Sequence, residues 1–241
     1  MSASEYDADF VSAGAELAVS SPLHLIVDQP PATPLRYHGR RRHIKRLLDV
    51  AIALASMPVA LPLMAAVALL VRFGSDGPAL YRQDRVGQGG ESFRIYKFRT
   101  MYVDSDERLR ADGDLYAEYV ANDFKLRNDV DPRVTRLGRF LRNTSLDELP
   151  QLFNVLGGSM SLVGPRPIVR DELARYGDAV PSYLQLRPGL TGRWQVEGRN
   201  VVRYPERANL DHDYLMNWRL RADLAIMVKT VPSVLRRRGC Q

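Results

Sequence analysis

Two adjacent carboxylates, Asp147 and Glu148, precede a short loop in which prolines flank an arginine, Arg166. An acidic side chain can act as a nucleophile toward phosphorus or as a metal ligand. Arginine neutralises phosphoryl oxygens through paired hydrogen bonds, and flanking prolines restrict the backbone that carries it. More arginines, Arg142 among them, approach the acidic pair from the N-terminal side. These residue types together are typical of a protein that handles a phosphate ester.

Both features also have purely structural interpretations. Ser145 and Glu148 have the spacing of a helix-capping box, and the helix dipole favours acids in a first turn. Pro150 complicates that register, because a proline so soon after the cap forgoes a helical hydrogen bond. The loop around Arg166 could equally be a rigid turn with a solvated arginine. The residues alone leave both interpretations open.

Two other basic segments are candidates for binding. Residues 96–99 alternate aromatic and basic side chains and include Lys97 and Arg99, a pattern that alone is weak evidence for nucleic-acid binding. Residues 187–195 combine glycines, one tryptophan and basic groups including Arg193. His212 lies between two aspartates but lacks a partner motif, so no metal site is expected there.

The composition bounds the class of protein. The 241 residues carry a net charge of +6, which indicates a basic face for nucleic acid, anionic lipid or a phosphorylated substrate. The single cysteine, Cys240, excludes an internal disulfide and a cysteine-based metal site. Residues 1–29 are acidic and show no signal-peptide pattern. Residues 1–39 are rich in Ser, Ala, Pro and acids, and we expect a disordered tail.

One uncharged stretch, residues 50–71, is a membrane candidate. As a helix its 22 residues would reach roughly 33 Å, enough to cross a bilayer. Pro58 and Pro62 lie in its middle and both flanks are basic, so the positive-inside bias places both ends in the cytoplasm. We therefore predict a helix broken at the prolines that enters and leaves by the same leaflet. A buried core helix and a single kinked span are the alternatives.

The remaining pattern predicts short strands, then helices. The strands are expected at residues 79–82 and 92–99, around a glycine turn. Helices are expected at residues 104–125, 133–142, 145–156, 171–176, 203–217 and 220–238, with residues 186–200 irregular. The last two helices are amphipathic, and the final one could rest on anionic lipid. The predicted fold is mostly α with a small β element.

Seven segments, taken in order, resemble the bacterial sugar transferases, which are monotopic polyprenyl-phosphate hexose-1-phosphate transferases. Among these the resemblance is to undecaprenyl-phosphate galactose phosphotransferases that start exopolysaccharide chains. It runs from about residue 41 to the C-terminus. The segments are residues 45–49, 96–101, 131–135, 145–152, 161–167, 187–192 and 198–200.

The resemblance implies an architecture and a set of site residues. It implies a re-entrant membrane helix at residues 40–74 and a cytoplasmic α/β catalytic domain at residues 75–241, with amphipathic surface helices. Pro62 holds the proline of the family's Ser-Pro break, although Leu61 replaces the serine, and Val201 replaces a frequent aspartate. The nucleophile falls on Asp147, with Glu148 as its partner. Arg142 and Arg166 fall on positions of phosphate and nucleotide contact, and we add Lys97, Arg99 and Arg193 as substrate-binding candidates.

The implied reaction has two steps. Asp147 attacks the β-phosphorus of a UDP-hexose, most simply UDP-galactose, and undecaprenyl phosphate then takes the phosphosugar. Mg²⁺ held by Asp147 or Glu148 is the expected cofactor. The expected location is the inner membrane, with the catalytic domain facing the cytoplasm. The expected partners include membrane lipids but no nucleic acid. Whether the protein forms a homo-oligomer is left open. Rival hypotheses are UDP-glucose or an N-acetylated UDP-hexose as donor, and a non-catalytic basic binding protein on the membrane.

Overall fold

The computed structural model describes residues 39–122, 126–197 and 202–235, with side chains to residue 232 in the last range. Several predicted features lie outside these residues. They are the tail before Gly39, the segment of residues 198–200 with Val201, and the chain beyond Leu235. The domain boundaries predicted at residues 39 and 74 stay predictions.

Within the described residues the chain is mostly helical with little sheet, as predicted. The helices are α1 Arg40–Gly74, α2 Ser105–Arg110, α3 Gly113–Ala121, α4 Arg136–Thr144, α5 Gln151–Gly157, α6 Val180–Gln185, α7 Arg193–Glu197, α8 Glu206–Met216 and α9 Leu220–Leu235. The strands are β1 Leu80–Val86, β2 Ser92–Phe98, β3 Ser161–Val163 and β4 Gly189–Thr191. Short 3₁₀ segments lie at Gln88–Gly90, Leu146–Glu148 and Arg170–Ala179.

The strands form two small sheets. β1 and β2 pair antiparallel, with Leu80 opposite Phe98, so the predicted hairpin around the glycine turn is confirmed. β3 and β4 pair in parallel, although residues 189–191 were expected to be irregular. That close pairing depends on glycine: a Cβ on Gly189 would lie 2.1 Å from the backbone nitrogen of Gly164. A three-residue strand has no periodicity to reveal it.

Helix α1 continues through both prolines. Its 35 residues form one uninterrupted helix with Pro58 and Pro62 inside, so the break predicted at these positions is absent from the helical structure. A proline has the φ of a helix but no N–H to donate. Pro58 therefore leaves the carbonyl of Leu54 without its helical hydrogen bond, and Pro62 leaves that of Pro58. Flanking hydrogen bonds and the packing of one face keep the helix continuous. The same-leaflet hairpin therefore remains a prediction.

Helix α1 has a buried face and an exposed apolar face. Its buried residues recur every three or four positions and join the core around Ile95, Leu141 and Val155. They are Lys45, Asp49, Ala53, Met57, Ala60, Met64, Val67 and Val71. Val59 and Phe73 on other faces are 75% and 84% exposed. By length and composition α1 is the one helix among the described residues that could cross a membrane.

The N-terminal end of α1 is held by a buried polar cluster, the α1 anchor. Lys45 Nζ lies 2.7 Å from Asp223 Oδ2 on α9, and Asp223 also accepts hydrogen bonds from Tyr214 (2.6 Å) and Trp218 (3.2 Å). Asp49 Oδ2 accepts from the Ser161 hydroxyl on β3 at 2.7 Å. The anchor comprises Lys45, Asp49, Ser161, Tyr214, Trp218 and Asp223.

The C-terminal end of α1 is held by Arg99. Its guanidinium donates to the carbonyls of Val71 (3.3 Å) and Ser75 (2.8 Å), which are left without helical partners where α1 ends. Gly74 lies beside Leu137 of α4. Both ends of this long helix therefore contact the elements that follow it in the chain.

Three predicted helices differ from those observed, and one of them, predicted at residues 171–176, is part of the 3₁₀ segment Arg170–Ala179. Instead of one helix over residues 104–125, the described part of this range, residues 104–122, contains two short helices, because Asp112 Oδ1 accepts from the backbone nitrogen of Leu115 and starts α3. The interpretation of Ser145 and Glu148 as a helix-capping box is wrong. Ser145 has φ of 56° and closes α4, its side chain makes no capping bond, and a 3₁₀ turn follows before α5. The predicted stop after α5 is confirmed by Gly158, with φ of 88°.

Candidate active site

Asp147 lies in the 3₁₀ turn between α4 and α5, where its side chain is largely buried. The left-handed backbone of Ser145 ends α4, and in the 3₁₀ turn that follows Asp147 is the buried residue. Asp147 is only 8% exposed. Burial and the neighbouring charge of Glu148 raise its pKa to about 7, and the charges of Lys97 and Arg142 offset this only in part. Near neutral pH the Asp147 side chain is therefore present in both its protonated and its ionised form.

Two cations flank the acidic pair from different elements. Lys97 on β2 places Nζ 2.7 Å from Glu148 Oε1. Arg142 on α4 donates through Nε to Thr100 Oγ1 (2.9 Å) and through Nη1 to Asn128 Oδ1 (3.0 Å). Burial lowers the pKa of Arg142, and the charge of Asp147 opposes that shift. Both cations are thus fixed by the fold beside the acids.

A glycine sets the position of α4. A Cβ on Gly138 would lie 2.0 Å from the carbonyl oxygen of Thr100, so any larger residue would push α4 away from the end of β2. Thr135 caps the helix by accepting from the Gly138 nitrogen at 2.8 Å. This contact holds Arg142, two turns into α4, against Thr100.

The loop around Arg166 is held by its backbone. Arg85 Nη1 donates to the Pro167 carbonyl (3.2 Å), and the Tyr183 hydroxyl donates to the Arg166 carbonyl (3.3 Å). The Arg166 side chain is exposed, with its guanidinium carbon 5.9 Å from the centre of the Trp194 ring. The fixed backbone therefore presents an exposed cation.

These elements enclose a cation-rich pocket beside the acidic pair, here called the site pocket. Its lining residues are Arg85, Ile95, Lys97, Glu148, Gln151, Arg166, Pro167, Gly189, Leu190 and Gln195. Burial, and then the charge of Arg166, lower the pKa of Arg85. The same two causes lower the pKa of Arg207, which stacks over Trp194 at 4.6 Å. A group of arginines that repel one another is suited to an anion with several negative charges.

A comparison with known families identifies this arrangement. A family model described as bacterial sugar transferase matches residues 40–237, which include α1, the acidic pair and the site pocket. The chain belongs to the bacterial sugar transferase family.

Individual relatives differ in length and in named donor. An undecaprenyl-phosphate galactose phosphotransferase of Salmonella typhimurium is 50% identical over 82% of this chain, but the match covers 42% of that protein. The exopolysaccharide production protein ExoY of Rhizobium meliloti is 48% identical over 81% of this chain and 87% of its own length. A UDP-glucose:undecaprenyl-phosphate glucose-1-phosphate transferase of Caulobacter vibrioides is 44% identical over 79% of this chain and 69% of its length.

Most site residues predicted from the sequence of this sugar transferase lie together. Lys97 pairs with Glu148, the charges of Lys97 and Arg142 act on Asp147, and Lys97, Glu148 and Arg166 line one pocket. Two predicted substrate-binding residues lie elsewhere. Arg99 binds the end of α1, and Arg193 pairs with Glu197 (3.2 Å) and Asp213 (3.7 Å).

The structure also adds residues that sequence reasoning missed. Arg85, Gln151 and Gln195 line the site pocket, and Arg207 contacts its rim through Trp194. One signal was available: Gln151 follows Asp147 by four residues, about one helical turn. Nothing local marks Arg85, Gln195 or Arg207, because distant segments bring them to the pocket.

A magnesium site here would have few protein ligands. The described residues contain no group of three or more His, Cys, Asp or Glu side chains placed to hold a metal. Asp147 and Glu148 supply two carboxylates, which fits Mg²⁺, because this ion commonly takes one or two carboxylates and completes its shell with water and substrate oxygens. His212 Nδ1 lies 2.7 Å from the Ser182 hydroxyl.

Proposed function

We propose that this sugar transferase moves a hexose-1-phosphate from a UDP-hexose to undecaprenyl phosphate, through an intermediate on Asp147. The observation that carries the proposal is a buried carboxylate with a pKa of about 7 at the edge of a cation-lined pocket. A carboxylate desolvated in this way is a stronger nucleophile than one in water. It also needs less energy to approach a diphosphate, because fixed cations are already present.

In the first step an oxygen of Asp147 bonds to the β-phosphorus, and the bond from that phosphorus to the oxygen of UMP breaks. UMP leaves with the bonding electrons. In the second step an oxygen of undecaprenyl phosphate attacks the same phosphorus, and the Asp147 carboxylate is released. The products are UMP and undecaprenyl-diphospho-hexose, and Asp147 returns to its starting form.

The surrounding residues have separate tasks in this scheme. Arg166 and Arg85, whose charges meet at the site pocket, neutralise the diphosphate. Lys97 holds Glu148 at 2.7 Å and limits the repulsion that Glu148 exerts on the ionised Asp147. Arg142 is fixed beside Asp147 and stabilises its carboxylate while the phosphorus approaches.

The proposed cofactor is Mg²⁺, held by Asp147 and Glu148. When bound, it would neutralise phosphoryl oxygens and make UMP a better leaving group. The charge of Glu148, which raises the pKa of Asp147, is the repulsion that a cation at the pair would remove.

We propose that α1 lies in the inner membrane and enters and leaves by the same leaflet, with the rest of the chain in the cytoplasm. Support comes from the contacts of its two ends. Lys45 reaches Asp223, and the carbonyl of Val71 accepts from Arg99, so both ends touch residues of the chain that follows. A reporter at residue 38 and one at the C-terminus should both be cytoplasmic. Reporters on opposite sides would establish a full span and exclude entry and exit by the same leaflet.

The proposed donor is UDP-galactose, because relatives at 50% and 48% identity are named for galactose transfer. Relatives named for UDP-glucose and for UDP-N-acetylgalactosamine, at 44% and 39% identity, keep those donors as alternatives. The reaction chemistry is the same for all three donors.

The deciding experiment is UMP release by detergent-solubilised protein with Mg²⁺, from each of the three UDP-sugars, with and without undecaprenyl phosphate. We expect release that depends on the lipid and is fastest with UDP-galactose. Omitting the lipid should leave one equivalent of phosphosugar on the protein, detectable as added mass. A folded protein that released no UMP from any donor would contradict the proposed function.

A further inference from the structure

The site pocket is lined by side chains of two kinds. Arg85, Lys97 and Arg166 are cations, whereas Gln151 and Gln195 contribute neutral amides. Gln151 is 2% exposed. Its Nε2 and the Oε1 of Gln195 are buried atoms without a hydrogen-bond partner among the described residues. The two amides therefore offer one unused donor and one unused acceptor.

Such atoms need a reason to be buried. A buried donor without a partner costs about 1–3 kcal/mol, and native proteins keep few of them. A donor and an acceptor that line the same pocket are satisfied together by a ligand that both accepts and donates. A hydroxyl group does both, whereas an ionised phosphate only accepts. The two amides thus match a polyhydroxylated group, while the cations of the pocket match phosphate.

The position of Gln151 indicates which part of the substrate lies there. It follows Asp147 by four residues, and the backbone between them is helical at Leu149 and Pro150. Residues three apart are neighbours on a 3₁₀ or an α-helix, and Glu148 and Gln151, at this spacing, both line the site pocket. The Gln151 amide is therefore close to whatever stays bonded to the phosphorus on Asp147, and after UMP leaves that group is the hexose.

The acceptor of Gln195 lies close against the backbone of Gly192. A Cβ on Gly192 would lie 2.8 Å from Gln195 Oε1 and 2.3 Å from the Gly164 carbonyl oxygen. Only glycine at this position lets the amide pack so close to the loop that carries Arg166. A side chain held this closely against backbone is suited to discriminate between substrate geometries.

We propose that Gln151 and Gln195 form the hexose subsite of this enzyme, with Gln151 Nε2 donating to one sugar hydroxyl and Gln195 Oε1 accepting from another. The proposal rests on the proposed function, since it names the residues that bind the sugar of the phosphosugar on Asp147. The two amides select among hexoses and leave the nucleotide to other residues.

The test uses Gln151→Met and Gln195→Met, which keep side-chain length and remove the hydrogen bonds. We expect kcat/KM for UDP-galactose to fall about 10- to 100-fold in each variant, and the preference for UDP-galactose over UDP-glucose to narrow. Inhibition by UMP should change less than about twofold. Transfer from isolated phosphosugar-enzyme to undecaprenyl phosphate, in which no nucleotide takes part, should also slow.

The matched control is Gln185→Met, because the Gln185 amide donates to the Pro181 carbonyl (3.1 Å) and does not line the site pocket. Its kinetics should be unchanged. Thermal unfolding separates binding from structure. Because Gln151 Nε2 has no described partner, Gln151→Met should not lower the melting temperature, whereas a structural glutamine would.

Each other outcome overturns the proposal. Weaker UMP inhibition in parallel with the loss of UDP-galactose use would assign the amides to the nucleotide. Unchanged kinetics in both methionine variants, with an active wild-type protein, would remove the subsite but leave the proposed function intact. A wild-type protein inactive with every UDP-hexose would overturn the proposed function and the subsite together.

Discussion

The α1 anchor and the acidic pair both bury a carboxylate near a lysine, but they treat its charge differently. At the anchor, Asp223 is 3% exposed and accepts hydrogen bonds from Lys45, Tyr214 and Trp218. At the acidic pair, Asp147 is buried beside a second acid, and its pKa rises to about 7. A buried carboxylate whose neighbours satisfy it holds elements together. One whose charge is only partly compensated is suited to react or to bind a cation.

Replacing each acid, Asp147 and Asp223, by its amide separates these two roles, and the largest effect is expected on turnover. Asp147→Asn should reduce turnover by about 10⁴-fold or more, because the nucleophile is lost. Its melting temperature at pH 8 should not fall, because the variant removes a buried charge beside Glu148. Both quantities are measured on the same detergent-solubilised preparation. An active Asp147→Asn protein, or one that forms the phosphosugar adduct, would contradict the role of Asp147.

The second prediction concerns the anchor. Asp223→Asn should destabilise the protein by about 3 kcal/mol, because breaking a buried ion pair leaves the partner uncompensated. The expected loss is at the lower end of the usual range, since Asp49 stays 3.6 Å from Lys45. The measurement is unfolding in detergent by chemical denaturant.

A double-mutant cycle checks this interpretation. The double variant Lys45→Met with Asp223→Asn should be less destabilised than the sum of the two single variants, because neither charge is left alone. Strict additivity would show that the two side chains do not act as a pair. Catalytic rate per folded molecule should change far less than in Asp147→Asn.

The third prediction is the pH dependence of the sugar transferase. The folded-state pKa of Asp147, about 7, is above its ordinary value of 3.8, so a reacting carboxylate is protonated below neutrality. We expect kcat/KM to rise about tenfold per pH unit and to level off at or below about pH 7, since Mg²⁺ bound at the pair would lower this pKa. The same raised pKa means that the contribution of Asp147 to folding stability falls as pH rises from about 4 to 7.

Two variants sharpen this profile. Glu148→Gln should move the rising part of the pH–rate profile to lower pH, because the charge of Glu148 raises the pKa of Asp147. Lys97→Met should move it to higher pH, because the charge of Lys97 lowers that pKa. The measurement is initial UMP release across pH 5–9 at constant ionic strength. If neither variant moved the rising part of the profile, a group other than Asp147 would control the pH dependence of the rate.

Local patterns were enough to predict much of this fold. The β1–β2 hairpin followed from alternation around a glycine turn, and the end of α5 from its glycines. The acidic pair and Arg166 were also predictable, because their residue types and rigid setting are local properties. Ser145 was misjudged because the capping-box pattern competes with a left-handed residue that closes the preceding helix.

The features of the fold and site that were not predicted depend on contacts between distant segments of the chain. The β3–β4 pair, the uninterrupted α1 and the pocket positions of Arg85 and Gln195 join residues that are far apart in the chain. Arg99 shows the same limit, since its basic type suggested substrate, while the end of α1 provides the carbonyls it binds. Residue type indicates what a side chain can bind, and only tertiary contacts decide which partner it meets.

The smallest expected effect tests that distinction with two arginines from similar motifs. Arg166 lines the site pocket, whereas Arg193 forms ion pairs with Glu197 and Asp213 on the outside. Arg193→Ala should change KM for the UDP-hexose by less than about twofold, because partly exposed ion pairs contribute little. Arg166→Ala should raise it at least about tenfold, through loss of a charged contact to phosphate. Equal effects in steady-state UMP release would mean that Arg193 leaves its ion pairs to reach the substrate, and that the pocket extends further than its present walls.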